Sequence, residues 1–221
     1  MLSRLQERVR QRLSDLPGGD DLALAGGAAL IVWGVVSRPT HDLDFFATSA
    51  ANVNRLVPEI ESALAADGLD VKRVQIADGF ARLAVSDGTE ETLVDVAWDA
   101  RMFPREVTEE GPLLAVDEVA GDKLLALFGR AAARDFVDVD ALIERFGLER
   151  LCELAAEKDP GFDRRVLADM LGRFDRLPRA EFAIDDTAYA ALVAHVRRWA
   201  LELTDPRRDL GPRPPGPSLE R

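Results

Sequence analysis

The sequence predicts an α/β fold, a mixed sheet with flanking helices followed by a helical C-terminal half. Strand-like and helical segments alternate through the first half of the chain, which is typical of mixed α/β structure. After about Pro112 the apolar pattern becomes helical throughout. The 221 residues are enough to bury a core in one domain or two small ones.

The first elements follow from periodicity and from helix-ending residues. A helix over residues 2–14 ends before Pro17-Gly-Gly19. The apolar run 28–36 is interpreted as a second helix, and residues 50–66 as a third with one apolar face. Between them, residues 42–46 have the pattern of a short strand.

Three further strands and five helices complete the prediction. The strands cover 69–76, 80–86 and 92–98, with Asp87-Gly88 at the turn between the last two. The helices cover 117–131, 134–146, 148–158, 163–174 and 186–203. We therefore expect an α/β domain over residues 1–111 and a helical domain over 112–204 that completes the active cleft. The proline-rich residues 205–221 are expected to form a flexible tail.

The composition is that of an ordinary globular protein. It is 47% hydrophobic and 31% charged, and the single Cys152, expected in the core, excludes an internal disulfide framework. The charged N-terminus lacks the apolar segment of a signal peptide, and no apolar run is long enough to span a membrane, so a cytoplasmic protein is expected. The formal net charge of −12 argues against a general nucleic-acid binder but does not exclude local RNA contact.

Two carboxylates in the segment at residues 42–46 are the most informative feature. Asp42 and Asp44 are two residues apart, so in a strand they project from the same face. Like charges held side by side repel, and a hard divalent cation that also binds phosphate would relieve that repulsion. Upstream, Gly26 and Gly27 can form a turn that offers backbone N–H groups to a phosphate. Together they predict a site for a metal–nucleotide complex.

Two blocks of sequence carry a family resemblance. Leu24-Ala-Gly-Gly-Ala-Ala-Leu30 followed by Arg38-Pro-Thr-His-Asp-Leu-Asp-Phe-Phe46 resembles the nucleotidyltransferase signature, and is most similar to AbiEii-like and MenT-type toxin nucleotidyltransferases. Asp122-Lys-Leu-Leu-Ala-Leu-Phe-Gly-Arg130 and Arg134-Asp-Phe-Val-Asp-Val139 resemble the later motifs of that family. The resemblance covers roughly residues 20–150 and implies a nucleotidyltransferase-like sheet. Gly27 departs from the serine found in many members, which removes one hydroxyl from the turn.

The resemblance implies roles for the acids, with alternatives from the residues themselves. Asp95, in an apolar strand, would complete a metal triad with Asp42 and Asp44 that binds Mg²⁺ (or Mn²⁺). The alternative is an edge strand or an ion pair between Asp95 and Arg82. Asp138 would be catalytic by orienting a lysine or the acceptor.

The same resemblance implies contacts to the nucleotide. Lys123 would bind the triphosphate and act in catalysis, although a lysine beside an apolar stripe is usually a surface residue. Arg134 would face phosphate, or would form an ordinary ion pair with Asp138 at i, i+4. Thr40 is expected to lean toward the acids and to contact a phosphate, and its phosphorylation is a hypothetical regulatory switch. His41 is interpreted as structural or as facing the base.

The activity implied by the resemblance is that of a toxin. It would transfer a nucleoside monophosphate from an NTP to an acceptor hydroxyl, with the 3′ end of tRNA as the expected acceptor, block translation, and be restrained by a cognate antitoxin. One alternative is transfer to a protein side chain or to a small molecule such as an aminoglycoside. Another is a non-catalytic nucleotide-binding module.

Overall fold

The computed structural model describes residues 1–204, and in that part of the chain seven strands form one mixed sheet. The strands are β1 (Ala23–Ala25), β2 (Asp42–Ala47), β3 (Asp70–Ala77), β4 (Phe80–Ser86), β5 (Glu91–Trp98), β6 (Glu106–Thr108) and β7 (Gly111–Leu113). Their order across the sheet is β3-β4-β5-β2-β1-β7-β6. Helices flank this sheet and fill the second half, which confirms the predicted fold class.

Eight α-helices lie in the described part of the chain. They are α1 (Arg4–Ser14), α2 (Gly26–Val32), α3 (Ala50–Ala66), α4 (Val116–Gly129), α5 (Ala133–Phe146), α6 (Leu148–Lys158), α7 (Arg164–Leu171) and α8 (Asp186–Leu203). Polar side chains begin several of them: the hydroxyl of Ser3 accepts from the Gln6 backbone N–H at the start of α1, and Ser49 caps α3 in the same way. Each helix expected from the sequence is present, with ends shifted by a few residues.

The centre of the sheet explains why Asp42 and Asp44 share a face. In β2 the side chains of Leu43, Phe45 and Ala47 are buried, while the alternate positions remain partly accessible. β2 runs parallel to β5 and antiparallel to β1, so it lies in the interior of the sheet. Burial of one face against the core therefore fixes the two acids on the other.

One hydrophobic core runs through both halves of the molecule. It includes Phe45 of the sheet, Phe136 of α5 and Trp199 of α8, each with at most 2% of its surface exposed. Cys152 is also buried in it, as the sequence predicted. The division into domains at residue 111 stays a prediction, and the predicted tail at 205–221 lies outside the described residues. Over residues 1–204, no helix combines the length and apolar character needed to cross a membrane.

Three strands and two helix ends differ from the prediction. β1, β6 and β7 have three residues each, too few for an alternating pattern to be visible, and Pro112 in β7 is unusual for a strand. The predicted helix at 28–36 ends at Val32, because Gly34 adopts a φ of +67° that a helix cannot continue. The helix predicted over 163–174 ends at Leu171, just before Gly172.

A buried lysine fastens the loop after β5 to the helical half. Lys158 at the end of α6 contacts Asp99 at 2.7 Å and Glu118 at 2.8 Å, and also pairs with Asp122. Glu118 in turn accepts from the backbone N–H groups of Met102 and Phe103. The ammonium group of Lys158 therefore connects Asp99, in the loop after β5, with Glu118 and Asp122 on α4.

Replacing Lys158 with methionine should destabilise the protein strongly. The Lys158→Met variant keeps the length of the side chain but leaves Glu118, which is 1% exposed, without its cation. Breaking a buried pair on one side costs about 3–5 kcal/mol. Urea unfolding should show that loss, whereas Lys72→Met, which removes an exposed pair with Asp70, should leave the unfolding midpoint almost unchanged. Equal losses in both variants would contradict the assignment.

Candidate active site

The glycine turn lies against the acidic strand. Gly26 follows β1 directly, and the neighbouring Ala25 is paired in register with Asp44. Gly26 has a φ of +61°, and a Cβ atom there would lie 1.9 Å from Asp44 Oδ2. Gly27 is also crowded, since its Cβ would lie 2.9 Å from Arg38 Nη2. Gly26 therefore needs glycine, whereas at Gly27 the crowding atom is the end of the Arg38 side chain.

The three candidate metal-binding acids occupy neighbouring positions of one sheet face. Asp42 and Asp44 lie on β2, and Asp44 is directly opposite Asp95 on the parallel strand β5. Residues directly opposite each other point to the same face of a sheet. Burial, and then the charge of Asp42, raise the pKa of Asp44 to about 6. The geometry is thus that of a closely spaced, mutually repelling acidic group.

Cations contact two of these acids. Arg82 of β4 donates to both oxygens of Asp95, from Nε at 2.7 Å and from Nη2 at 2.6 Å. Arg134 Nη1 lies 3.6 Å from Asp42 Oδ2, so Arg134 pairs with Asp42 and not with Asp138, its i, i+4 neighbour. Asp95 therefore lies beside Asp44 and is ion-paired with Arg82, as the alternative interpretation expected, and its role as a metal ligand stays a prediction.

Thr40 points toward the acids, as its position before β2 predicted. Its hydroxyl donates to Asp42 Oδ1 at 3.0 Å and approaches the backbone oxygen of the same residue at 3.3 Å. Thr40 thus fixes the rotamer of one carboxylate at the entrance to the strand. The proposed phosphorylation of its hydroxyl stays a prediction.

A fully buried carboxylate organises the cationic side of the site. Asp138 of α5 is 0% exposed and accepts from Arg38 Nε at 2.7 Å and Nη2 at 2.6 Å. Lys123 Nζ of α4 lies 2.9 Å from Asp138 Oδ2. Burial alone would raise the pKa of Asp138, but the hydrogen bonds and charges of Arg38 and Lys123 hold it below its usual value. Lys123 is consequently buried, and the alternative of an ordinary surface lysine is wrong.

These side chains surround one small polar cavity of about 120 Å³. Its lining is Gly27, Arg38, Thr40, Asp42, Asp44, Arg82, Asp95, Lys123, Arg130 and Arg134. Five of these residues are basic and three are acidic, so the cavity suits an anion together with a cation. The sequence analysis assigned no site role to Arg38, Arg82 or Arg130. Arg38 lies in the segment 38–46, four residues before Asp42, and this proximity to the acids could have indicated its place in the site.

Two larger cavities share lining residues with this one. A cavity of about 290 Å³ shares Arg38, Thr40 and Arg134 with it and is also lined by His41 and Glu181. A third, of about 450 Å³, shares Arg38 and Val137 with the second. Arg38 therefore belongs to the lining of all three cavities. His41 lines the second cavity and is absent from the lining of the polar cavity, as expected for a group that faces away from the acids.

The carboxylates of Asp42 and Asp44 fit a hard divalent cation, whereas that of Asp95 is already paired with Arg82. Within residues 1–204, no three Asp, Glu, His or Cys side chains are already gathered in a metal-binding arrangement. Asp42 and Asp44 offer carboxylate oxygens of the kind that Mg²⁺ and Mn²⁺ prefer, in a cavity that Gly26 and Gly27 keep open. Asp95 could bind the same cation only if Arg82 gave up at least one of its two hydrogen bonds to the Asp95 carboxylate.

Comparison with known proteins gives the family. The family described as Nucleotidyl transferase AbiEii toxin, Type IV TA system, matches residues 8–210. The chain belongs to this AbiEii nucleotidyltransferase toxin family. The match extends well beyond the motifs of the sequence analysis and covers the sheet and most of the helical half. No curated protein sequence matches the chain.

Several solved structures have a similar fold. The nucleotidyltransferase toxin MenT4 (Rv2826c) of Mycobacterium tuberculosis H37Rv has a TM-score of 0.57 at 21% identity, over 90% of this chain and 82% of that one. JHP933 of Helicobacter pylori has a TM-score of 0.53 at 22% identity, over 92% and 90%. A putative nucleotidyltransferase of H. pylori has a TM-score of 0.54 at 22% identity, over 89% of each chain. At these identities the likeness concerns the fold.

Alanine at Gly26 should damage activity more than stability. The Gly26→Ala variant should lose at least about tenfold in nucleotide transfer, because the new methyl group displaces Asp44. It should also lose somewhat more than about 1 kcal/mol of stability, since the backbone has positive φ. Transfer rates and thermal unfolding of the variant measure the two effects.

Gly34→Ala is the matched control for this substitution. Gly34 has a similar φ of +67°, and a Cβ there would meet nothing within 4 Å. The control should therefore show the stability loss and keep the transfer rate. If Gly26→Ala transferred nucleotide as fast as Gly34→Ala, contact with Asp44 would not matter to the site.

Proposed function

We propose that this toxin-family nucleotidyltransferase uses an NTP and Mg²⁺ (or Mn²⁺) to transfer a nucleoside monophosphate to the 3′ end of tRNA. The acceptor hydroxyl attacks the α-phosphorus, pyrophosphate leaves, and a tRNA with a blocked 3′ end stops translation. A cognate antitoxin restrains the enzyme, and the cytoplasm, which holds NTP and tRNA, is the proposed compartment.

The observation that carries the proposal is the mixed charge of the small cavity. A triphosphate has four negative charges at most, and five basic side chains line the cavity at short range, each of them also paired with a carboxylate in the free protein. Lys123, which Asp138 holds in position, and Arg134 are the proposed phosphate contacts, with Gly27 and Thr40 at the edge. In such a site, catalysis comes mainly from positioning and from neutralising the charge that develops on the phosphate.

Asp42, Asp44 and Asp95 would hold the metal. When bound, the divalent cation would supply charge neutralisation on the phosphate oxygens and favour ionisation of the acceptor hydroxyl. Thr40 keeps Asp42 oriented through its hydroxyl hydrogen bond. Gly26 lets the backbone approach Asp44 closely enough that the triphosphate can reach both the acids and the glycine turn.

The larger cavities suit the nucleoside and the acceptor. The cavity of about 290 Å³ shares lining residues with the small polar cavity and has an imidazole at His41 and a carboxylate at Glu181. An imidazole ring can stack on a base, and a carboxylate can accept from an amino group on its edge. Base selection is therefore proposed to reside here.

A second candidate acceptor is favoured by one specific observation. The cavity of about 450 Å³ is lined by three acidic side chains, Asp140, Glu144 and Asp185, and by one basic side chain, Arg38. Such a lining attracts a cation and repels a phosphate backbone, so an aminoglycoside or a basic protein segment is the alternative to tRNA. The presence of Asp42, Asp44 and Asp95 together, in a cavity that also has five basic side chains, argues against a non-catalytic nucleotide-binding module.

A labelling experiment separates these acceptors. Purified protein is incubated with each α-³²P-labelled NTP and Mg²⁺ in three parallel reactions that contain total tRNA, total protein or an aminoglycoside. We expect label on tRNA, lost after removal of its 3′-terminal nucleotide. Label on protein or on the aminoglycoside would replace tRNA as the acceptor, and no label in any reaction would contradict the proposed activity.

Loss of either strand carboxylate should abolish transfer. Asp42→Ala and Asp44→Ala remove proposed metal ligands, and losses of several orders of magnitude are expected, each tenfold step being about 1.4 kcal/mol of barrier. Asp70→Ala, an exposed strand acid paired with Lys72, is the control and should keep full activity. Transfer within tenfold of wild type by a folded Asp42 or Asp44 variant would contradict the assignment. Circular dichroism checks the fold.

Loss of Lys123 should weaken nucleotide binding without unfolding the protein. In Lys123→Ala, Asp138 keeps its two hydrogen bonds from Arg38, so the buried carboxylate retains a partner. We expect NTP affinity to fall about tenfold or more, as for a lost charge-assisted contact, and Lys123→Arg to restore it only in part. Calorimetric titration measures the affinity. Unchanged affinity would limit Lys123 to a structural role.

A further inference from the structure

Three side chains lie in a row across the centre of the sheet. Asp44 on β2 is directly opposite Asp95 on β5, and Asp95 is directly opposite Arg82 on β4. Residues opposite one another on adjacent strands share a face, and neighbouring strands are about 4.8 Å apart. Arg82 is therefore built into the same face as the acids, and its position is fixed by the pairing of three strands.

The ion pair at the end of this row is the shortest found for the three acids within residues 1–204. Both oxygens of Asp95 accept from Arg82, at 2.7 and 2.6 Å, in the parallel two-bond geometry that suits a guanidinium. The ion pair between Asp42 and Arg134 is longer, at 3.6 Å. The side chain of Asp95 is 10% exposed, so it depends on this partner more than a surface acid would.

A divalent cation at Asp95 would meet the positive charge of Arg82. Two cations that share one carboxylate repel each other strongly at such distances, even at the effective dielectric constant of a protein surface. The side chain of Arg82 is 38% exposed and lines the cavity, so it has room to move. The planar guanidinium also binds phosphate well through paired hydrogen bonds.

We propose that Arg82 is a built-in counter-ion of Asp95 that exchanges its carboxylate partner for the phosphates of the incoming nucleotide. In the free protein it stabilises Asp95 and lowers the affinity of the site for a bare metal ion. When metal and triphosphate arrive together, Asp95 turns to the metal and Arg82 to the phosphates. Arg82 is thus a positioning residue that couples the two ligands, and this inference rests on the metal-dependent function proposed above.

The test measures two affinities that should change in opposite directions. Arg82→Gln should bind Mn²⁺ alone about tenfold more tightly than wild type, measured by the electron paramagnetic resonance signal of free Mn²⁺. The same variant should bind the Mn²⁺–tripolyphosphate complex about tenfold more weakly, measured by calorimetry in saturating Mn²⁺. Tripolyphosphate is chosen because it carries the phosphates without a base.

Two further variants control for damage to the fold. Arg73→Gln removes a guanidinium that pairs in the same two-bond manner with Glu61, at 2.6 and 2.7 Å, away from the cavity, and should change neither affinity. Arg82→Lys keeps the positive charge and should give Mn²⁺ affinity between those of wild type and Arg82→Gln. Thermal unfolding shows whether each variant is folded.

The outcomes distinguish this inference from the proposed function. Opposite changes in the two affinities support the exchange. If both affinities fell together, Arg82 would be a structural partner of Asp95, and if neither changed it would have no role in binding; either result overturns the exchange and leaves metal-dependent transfer intact. If neither wild type nor variant bound Mn²⁺, with or without tripolyphosphate, the proposed metal dependence would fail as well.

Discussion

The need to neutralise three carboxylates on one face of the sheet governs the rest of the structure. Asp42, Asp44 and Asp95 are neighbours because the strands that carry them are buried on the opposite face and cannot slip in register. Their repulsion would destabilise the sheet if water and distant charges were the only compensation. The basic side chains around the cavity contribute to that compensation, and they come from β4, from α4 and α5 with the segment between them, and from the segment before β2.

Asp138 gives this arrangement its second anchor. Its buried carboxylate contacts both Arg38, in the segment before β2, and Lys123 on α4. This buried carboxylate pairs with both cations, so the helical half and the loop before β2 are held in one geometry. The cationic wall of the cavity is therefore part of the packing between helices and sheet, and the site draws residues from both sides of residue 111.

Local patterns in the sequence predicted the parts of the site that depend on local geometry. The spacing of Asp42 and Asp44 predicted their common face, because alternation in a strand is a property of the backbone. The partners of the acids were harder to predict. Arg38 and Asp138 are 100 residues apart, and no periodicity links them. The sequence predicted Arg82 only as an alternative partner of Asp95, because its position opposite that residue depends on the turn between β4 and β5. The short strands β1, β6 and β7 were missed for a related reason, because the sheet that contains them determines their conformation.

The overall charge of the protein makes these local contacts more important. A formal net charge of −12 repels a polyanionic substrate at long range. At physiological ionic strength that field is screened within about 8 Å, whereas the basic residues of the cavity act over the few ångströms of a direct contact. Association therefore gains little from long-range steering, and affinity depends on the fit of phosphates among side chains that are already held by Asp138, Asp95 and Asp42. A site of this kind discriminates between ligands by geometry at close range.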